Sequence, residues 1–173
     1  MPQVHDAFAA YAVRKLEDHF AQIRRCVGML SDEQLWFRPN AHSNSVGNLL
    51  LHLNGNVGQW ILGGVGGRPV ERNRHAEFDA RGPMPKRQAL DPLIGTMEAA
   101  YGVIRQITGA MLIEEKSIQT YRVSVLAVVM HVVEHFAFHT GQIVTTTKWL
   151  LDADLSLYDE NGHRRDGRKD DVP

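Results

Sequence analysis

A single cysteine, Cys26, stands in the 173-residue chain. An internal disulfide is therefore excluded, and a lone thiol within an apolar-periodic stretch reads as a reduced structural residue of a cytoplasmic protein. Charge of one sign is also lacking: 19 Lys and Arg meet 20 Asp and Glu, for a net charge of −1. That balance offers no electrostatic footprint for nucleic acid or for a membrane surface. No run of about 18 apolar residues occurs, and no charged-then-apolar leader precedes the first helical pattern, so neither a membrane span nor export is expected. The glycine cluster Gly63-Gly64-Val65-Gly66-Gly67 follows no strand and precedes no Gly-Lys-Ser/Thr, which favours a helix end over a phosphate cradle. No convincing strand alternation is present, and no serine or cysteine nucleophile stands beside an evident base.

What is present is helical periodicity. Phe8, Tyr11, Leu16, Phe20, Ile23, Val27 and Leu30 recur at helix spacing over residues 4–30. Ser31 to Gln34 reads as a capped turn, and Asn44 or Ser45 as the N-cap of a second helix over about 46–62. Residues 68–88 read as a charged loop, with a run over 68–81 whose length inside a compact domain suggests a function. A third helix is expected over 88–111, a short extended stretch over 114–122 and a fourth helix over 124–151. Four long helical patterns without repeats give an all-α chain, most simply a four-helix bundle over residues 1–151 with a polar surface tail over 152–173.

The chain is rich in histidine, with nine. His5, His42 and His163 fall in terminus, loop and tail. His131, His135 and His139 form a ladder at spacing i, i+4, i+8, so three imidazoles share one face of the fourth helix. Counting about 100° per residue, they lie with Phe138 and Gln142 on an arc of about 100°. His135 and His139 are spaced to put two ring nitrogens on one metal ion. A third ligand must come from elsewhere, and His52, among Leu49, Leu50, Leu51 and Leu53 in the second helix, is the best candidate. Asn48 and Asn56 sit one turn either side of it, placed to bond a ligand ring or a substrate. His131-Val-Val-Glu134-His135 matches an inverted zinc-protease pattern, but Glu134 points off the shared arc. A di-iron bundle needs Glu-x-x-His on two helices, and the chain has it only at Glu160–His163.

These residues resemble a family. Ser45-Val-Gly-Asn-Leu-Leu-Leu-His52-Leu-Asn-Gly-Asn56, Arg72-Asn-Arg74-His-Ala-Glu77-Phe78 and His131-Val-Val-Glu-His135-Phe-Ala-Phe-His139-Thr-Gly-Gln142-Ile follow, in order, motifs of the DinB-like superfamily of metal-dependent proteins. The resemblance covers about residues 5–150 and is closest to an uncharacterised branch. It implies a DinB/YfiT-like four-helix bundle, commonly a homodimer, holding nickel or zinc on His52, His135 and His139. Characterised relatives include thiol-dependent S-transferases and isomerases that use low-molecular-weight bacterial thiols. Where relatives often carry an arginine after the last ligand, this chain has Thr140.

The leading expectation is therefore a divalent-metal-dependent enzyme with a three-histidine site, acting on a small molecule, with a thiol as co-substrate. Asn56 and Gln142 would orient ligands, Trp60 and Phe138 would wall the pocket, and His131 would support the site rather than ligate. A pocket opening onto the site would mark catalysis; a closed site with His131 as fourth ligand would mark a metal sensor. A metal-dependent hydrolase, and a structural dimer whose histidines bind nothing, are the other readings. Arg72, Arg74 and Glu77 are candidates for an anionic substrate contact, against the plainer reading of a solvated charged loop.

Overall fold

A computed structural model describes residues 3–161, 163 and 165. Helix α1 spans Val4–Met29, α2 Asp32–Trp36, and α3 Val46–Val57, continuing without a break as a π-helical segment, Gly58–Val65. Helix α4 covers Arg74–Asp79, α5 Lys86–Arg105, α6 Gly109–Leu112 and α7 Val125–Leu151, while β1 (Glu115–Ile118) and β2 (Tyr121–Ser124) form an antiparallel hairpin. The four long helices α1, α3 with its extension, α5 and α7 make the bundle. α1 lies against α7 and α5, and α3 lies against α5 and α7. Leu16, Ile23, Leu50, Leu53, Leu93, Met97, Phe136 and Ile143 are fully buried where they meet, each contributing about 1.5–3 kcal/mol by leaving water. None of the described helices is long and apolar enough to cross a membrane.

The start of α3 is set by a reciprocal cap. Ser45 Oγ accepts from Asn48 N–H, and Ser45 N–H donates to Asn48 Oδ1 at 3.1 Å, satisfying two groups that a helix start leaves open. Asn48 Nδ2 then donates to the carbonyls of Glu77 and Ala80. Asn48 therefore ties α4 to α3, and is not turned toward a ligand as its spacing suggested. The helix also runs past Gly63 and Gly64 in its π form and ends at Gly66 and Gly67, the latter at φ +66°. Wide π turns are frequent at functional sites, and this one carries Trp60.

Three further expectations change. The loop over 68–88 contains α4, started by Asn73 Oδ1 accepting from Ala76 N–H. The third helix stops at Arg105 rather than near Met111, because Thr108 caps a separate short turn. The extended stretch over 114–122 is one arm and the turn of the hairpin, in which Ile118 pairs with Tyr121 and only Ile118 is buried. Strands this short show too little alternation to register in sequence. The polar tail lies partly outside the described residues, but its start is no surface tail: Leu155 is fully buried in the core.

Candidate metal centre

His52 occupies the middle of α3 on the side that faces α7, and α7 presents His135 and His139 one turn apart. His52 and His139 are buried and His135 is half-buried. Their Nε2 atoms converge: His135 Nε2 lies 3.0 Å from His52 Nε2 and 3.2 Å from His139 Nε2. One ligand atom from each fits within 4.8 Å of the others.

Partners on the far nitrogens decide which tautomer each ring adopts. His52 Nδ1–H donates to Glu77 Oε2 at 2.9 Å, and His139 Nδ1–H donates to Gln142 Oε1 at 2.7 Å. Both rings therefore turn an Nε2 lone pair inward. His135 Nε2 carries at most one hydrogen and cannot satisfy both neighbours, and its Nδ1 is buried without a partner. The donor set fits a divalent ion. Nitrogens about 2.1 Å from a shared ion lie about 3.0 Å apart at a right angle and about 3.4 Å apart at the tetrahedral angle, and the two measured separations fall between these values.

Glu77 is held by more than His52. Arg72 Nε donates to Glu77 Oε1 at 2.7 Å and Arg72 NH2 to Oε2 at 2.9 Å, with both side chains more than nine-tenths buried. Arg72 NH1 also donates to Gln59 Oε1, which accepts in turn from Gln119 Nε2 at the hairpin turn. A chain of bonds thus runs from the hairpin through Gln59, Arg72 and Glu77 to His52. The close approach of this pair to α3 needs Gly55, where a Cβ would collide with Glu77 Oε1 and lie 2.8 Å from Arg72 Nε.

The electrostatics keep the rings neutral. Burial, followed by the neighbouring His139 and His52, pushes His135 down to about 3. Burial also lowers His139, against the bond to Gln142, and lowers His131. For Glu77 burial works the other way, but hydrogen bonds from Arg72 and His52 outweigh it and hold the carboxyl below its ordinary value. Neutral imidazoles beside a charged carboxylate suit a metal.

A pH dependence follows. Unfolded histidines take up protons near about 6.5, whereas His135 and His139 in the folded, metal-free protein stay neutral well below that. Acidification therefore loads the unfolded state first. Stability that is complete above about pH 6.5 should fall steadily toward the His135 value of about 3, with Glu77 adding to the loss below its unfolded value. Urea melts of metal-free protein from pH 8 to 4 check this; a flat profile would contradict it.

Beside the three histidines lies a cavity of about 470 Å³, lined by His52, His135, Asn56, Trp60, His131 and residues of α4 and the hairpin. His131 sits 4.3 Å from the Trp60 ring and 5.6 Å from His135, centroid to centroid, so it walls the cavity and stays outside the trio. Asn56 is buried in the same wall. Phe138 departs from expectation: it is 64% exposed and faces a different groove, with Pro39 and Leu49, touching the site only edge-on through His139. Thr140 is buried and donates to the Phe136 carbonyl, so it reaches no substrate. Arg72 and Glu77 are no solvated loop, but the support of His52. The sequence signals for them were Asn73 as a cap and Gly55 inside an apolar helix, each marking a close approach.

A family model described as mycothiol-S-transferase matches residues 12–145, a span that holds all three histidines and Glu77. That description is more specific than the uncharacterised branch the motifs suggested. Among solved structures, a DinB-like protein from Bacillus cereus ATCC 10987 has a TM-score of 0.65 at 14% identity, covering 83% of this chain and 93% of that one; the likeness is one of fold. No curated protein matches the chain.

Proposed function

The chain belongs to the mycothiol-S-transferase family of DinB-like proteins, and on that premise we propose that it is a metal-dependent enzyme joining a low-molecular-weight thiol to an electrophilic small molecule. The observation that carries this reading is the convergence of three Nε2 atoms beside an open cavity. His52, His135 and His139 would hold the ion, zinc or nickel. A divalent ion in that place supplies Lewis acidity, lowering the pKa of a coordinated thiol or water. The protein's own residues do the rest. Glu77 and Gln142 keep the His52 and His139 lone pairs inward. Arg72 holds Glu77 ionised, and Trp60 with His131 shields one side of the cavity from water.

The open cavity, and the place of His131 outside the trio, support catalysis over a closed metal sensor. No residue of the site favours water over thiol as the nucleophile; the family membership supports the thiol. We further propose a homodimer in a reducing cytoplasm. The exposed Phe37–Trp149 pair on the outside of the bundle, with rings 5.6 Å apart, and the buried free thiol of Cys26 support these two points.

Elemental analysis of untagged protein tests the metal, and loss of free thiol tests the reaction. With mycothiol, bacillithiol and glutathione offered in turn alongside a common electrophile, metal-loaded wild type should consume one thiol in preference to the others. His52→Ala, His135→Ala and His139→Ala should each lose both metal and activity. A wild type that takes up no metal under replete expression, or loaded protein that consumes no thiol, would sink the reading.

A further inference from the structure

We propose that the cavity beside the three histidines takes a small organic anion, holding its negative group at Arg74, a hydrogen-bond donor on Asn56 and an apolar part along Trp60 and Tyr121. This deepens the reading above, since it takes that cavity as the substrate site, but its anchor points are side chains rather than the ion.

The charge argument comes first. Two arginines and no carboxylate line the cavity. The charge of Arg72 is answered by Glu77 behind it. Arg74 makes no ion pair among the described residues, and its guanidinium lies 4.9 Å above the Phe78 ring. Phe78 in turn sits 4.7 Å from the His52 ring. The uncompensated cation is thus stacked two ring contacts from a candidate ligand and held there by an aromatic face, which leaves its N–H fork free for an anion.

The second argument is an unmet hydrogen bond. Asn56 is 4% exposed, lines the cavity and has a carboxamide oxygen with no partner. Buried polar atoms are nearly always paired, and the rare orphan calls for an explanation. An N–H or O–H carried by the substrate supplies one. Opposite these polar groups, Trp60 and Tyr121 form a tilted aromatic pair 6.1 Å apart, an apolar surface for an acyl or aryl group.

The probe is hippurate, which combines an aryl group, an amide N–H and a carboxylate. Its methyl ester lacks the charge, and its N-methyl analogue lacks the donor. Binding to zinc-loaded and metal-free protein is followed by calorimetry and by the indole N–H signals in NMR. Hippurate should bind about tenfold more tightly than either analogue in both forms. Arg74→Gln should erase the preference over the ester, and Asn56→Leu the preference over the N-methyl analogue. Because Asn56 Oδ1 has no bond to lose, Asn56→Leu should fold with undiminished stability. Equal affinity for all three probes, no binding at about 10 mM, or a preference for hippurate that survives Arg74→Gln would overturn the proposal. Hippurate binding only to zinc-loaded protein would also overturn it, as that places the carboxylate on the ion. If the series behaves as expected but loaded protein consumes no thiol, the transferase reading falls and the anion site stands.

Discussion

Replacing Glu77 by alanine should cost the fold about 3–5 kcal/mol and weaken the metal site by about 10- to 100-fold. The first effect comes from Arg72, whose side chain is 5% exposed. Without the carboxylate its guanidinium stays buried with only Gln59 to accept from it, and an uncompensated buried charge is far more costly than a missing surface pair. The second effect comes from His52, which loses the acceptor that fixes its Nδ1–H tautomer. Glu77→Gln keeps the shape but turns an NH₂ toward Arg72 or His52, so its cost should be smaller, about 1–3 kcal/mol, with the metal still weakened. Gly55→Ala provides an independent route to the same outcome, because its Cβ would displace the Arg72–Glu77 pair while leaving every polar group in place. Urea denaturation of metal-free protein gives the first quantity and competitive metal titration the second. A Glu77→Ala protein within about 1 kcal/mol of wild type would show that the pair behaves as a surface salt bridge.

His135→Ala should act in the opposite sense on the metal-free fold. The ring sits between two inward lone pairs, with its own Nδ1 unpartnered, and its neutrality is enforced by burial and by the neighbouring rings. Deleting it removes an unsatisfied buried group and opens space against a polar cavity that water can fill. Metal-free His135→Ala should therefore match wild type within about 1 kcal/mol at pH 7.5 and lose less stability on acidification. With metal the order reverses. Wild type gains about 2.7 kcal/mol at a free metal concentration 100 times its Kd, while the variant, short of the central nitrogen, should gain almost nothing. Melts at two pH values, with and without zinc, give all four numbers. A variant that retains the metal-dependent gain would remove His135 from the ligand set.

The contrast between these two residues shows what could be read along the chain. His135 announced itself, because i, i+4 spacing on an apolar helix is a local pattern and the α7 backbone carries it unaided. His52 was nearly as legible, as a polar ring amid leucines. Glu77 was not. It lies in a charged stretch that reads as solvated loop, and only the packing of α4 on α3, tied by Asn48 and allowed by Gly55, turns its carboxylate into the cluster. Phe138 went the other way. It shares the histidine arc by angle, yet at 64% exposure it faces outward, because the arc is wider than the strip of α7 that α3 covers. The hairpin was illegible for want of length, though it supplies Gln119 and Tyr121 to the cavity.

Periodicity alone determined the four long helices, the all-α class and the ladder of three imidazoles, since each depends on contacts within a few residues along one helix. The ladder's division was decided by the tertiary structure. His135 and His139 meet His52 because α3 crosses them at that level, while His131, one turn earlier, meets Trp60 on the π-helical extension instead. Which nitrogens face inward was decided there too, by Glu77 and Gln142. Spacing along a helix fixes which side chains can share an ion, but a buried imidazole becomes a ligand only when its other nitrogen has an acceptor, and for His52 that acceptor is brought by a different part of the chain.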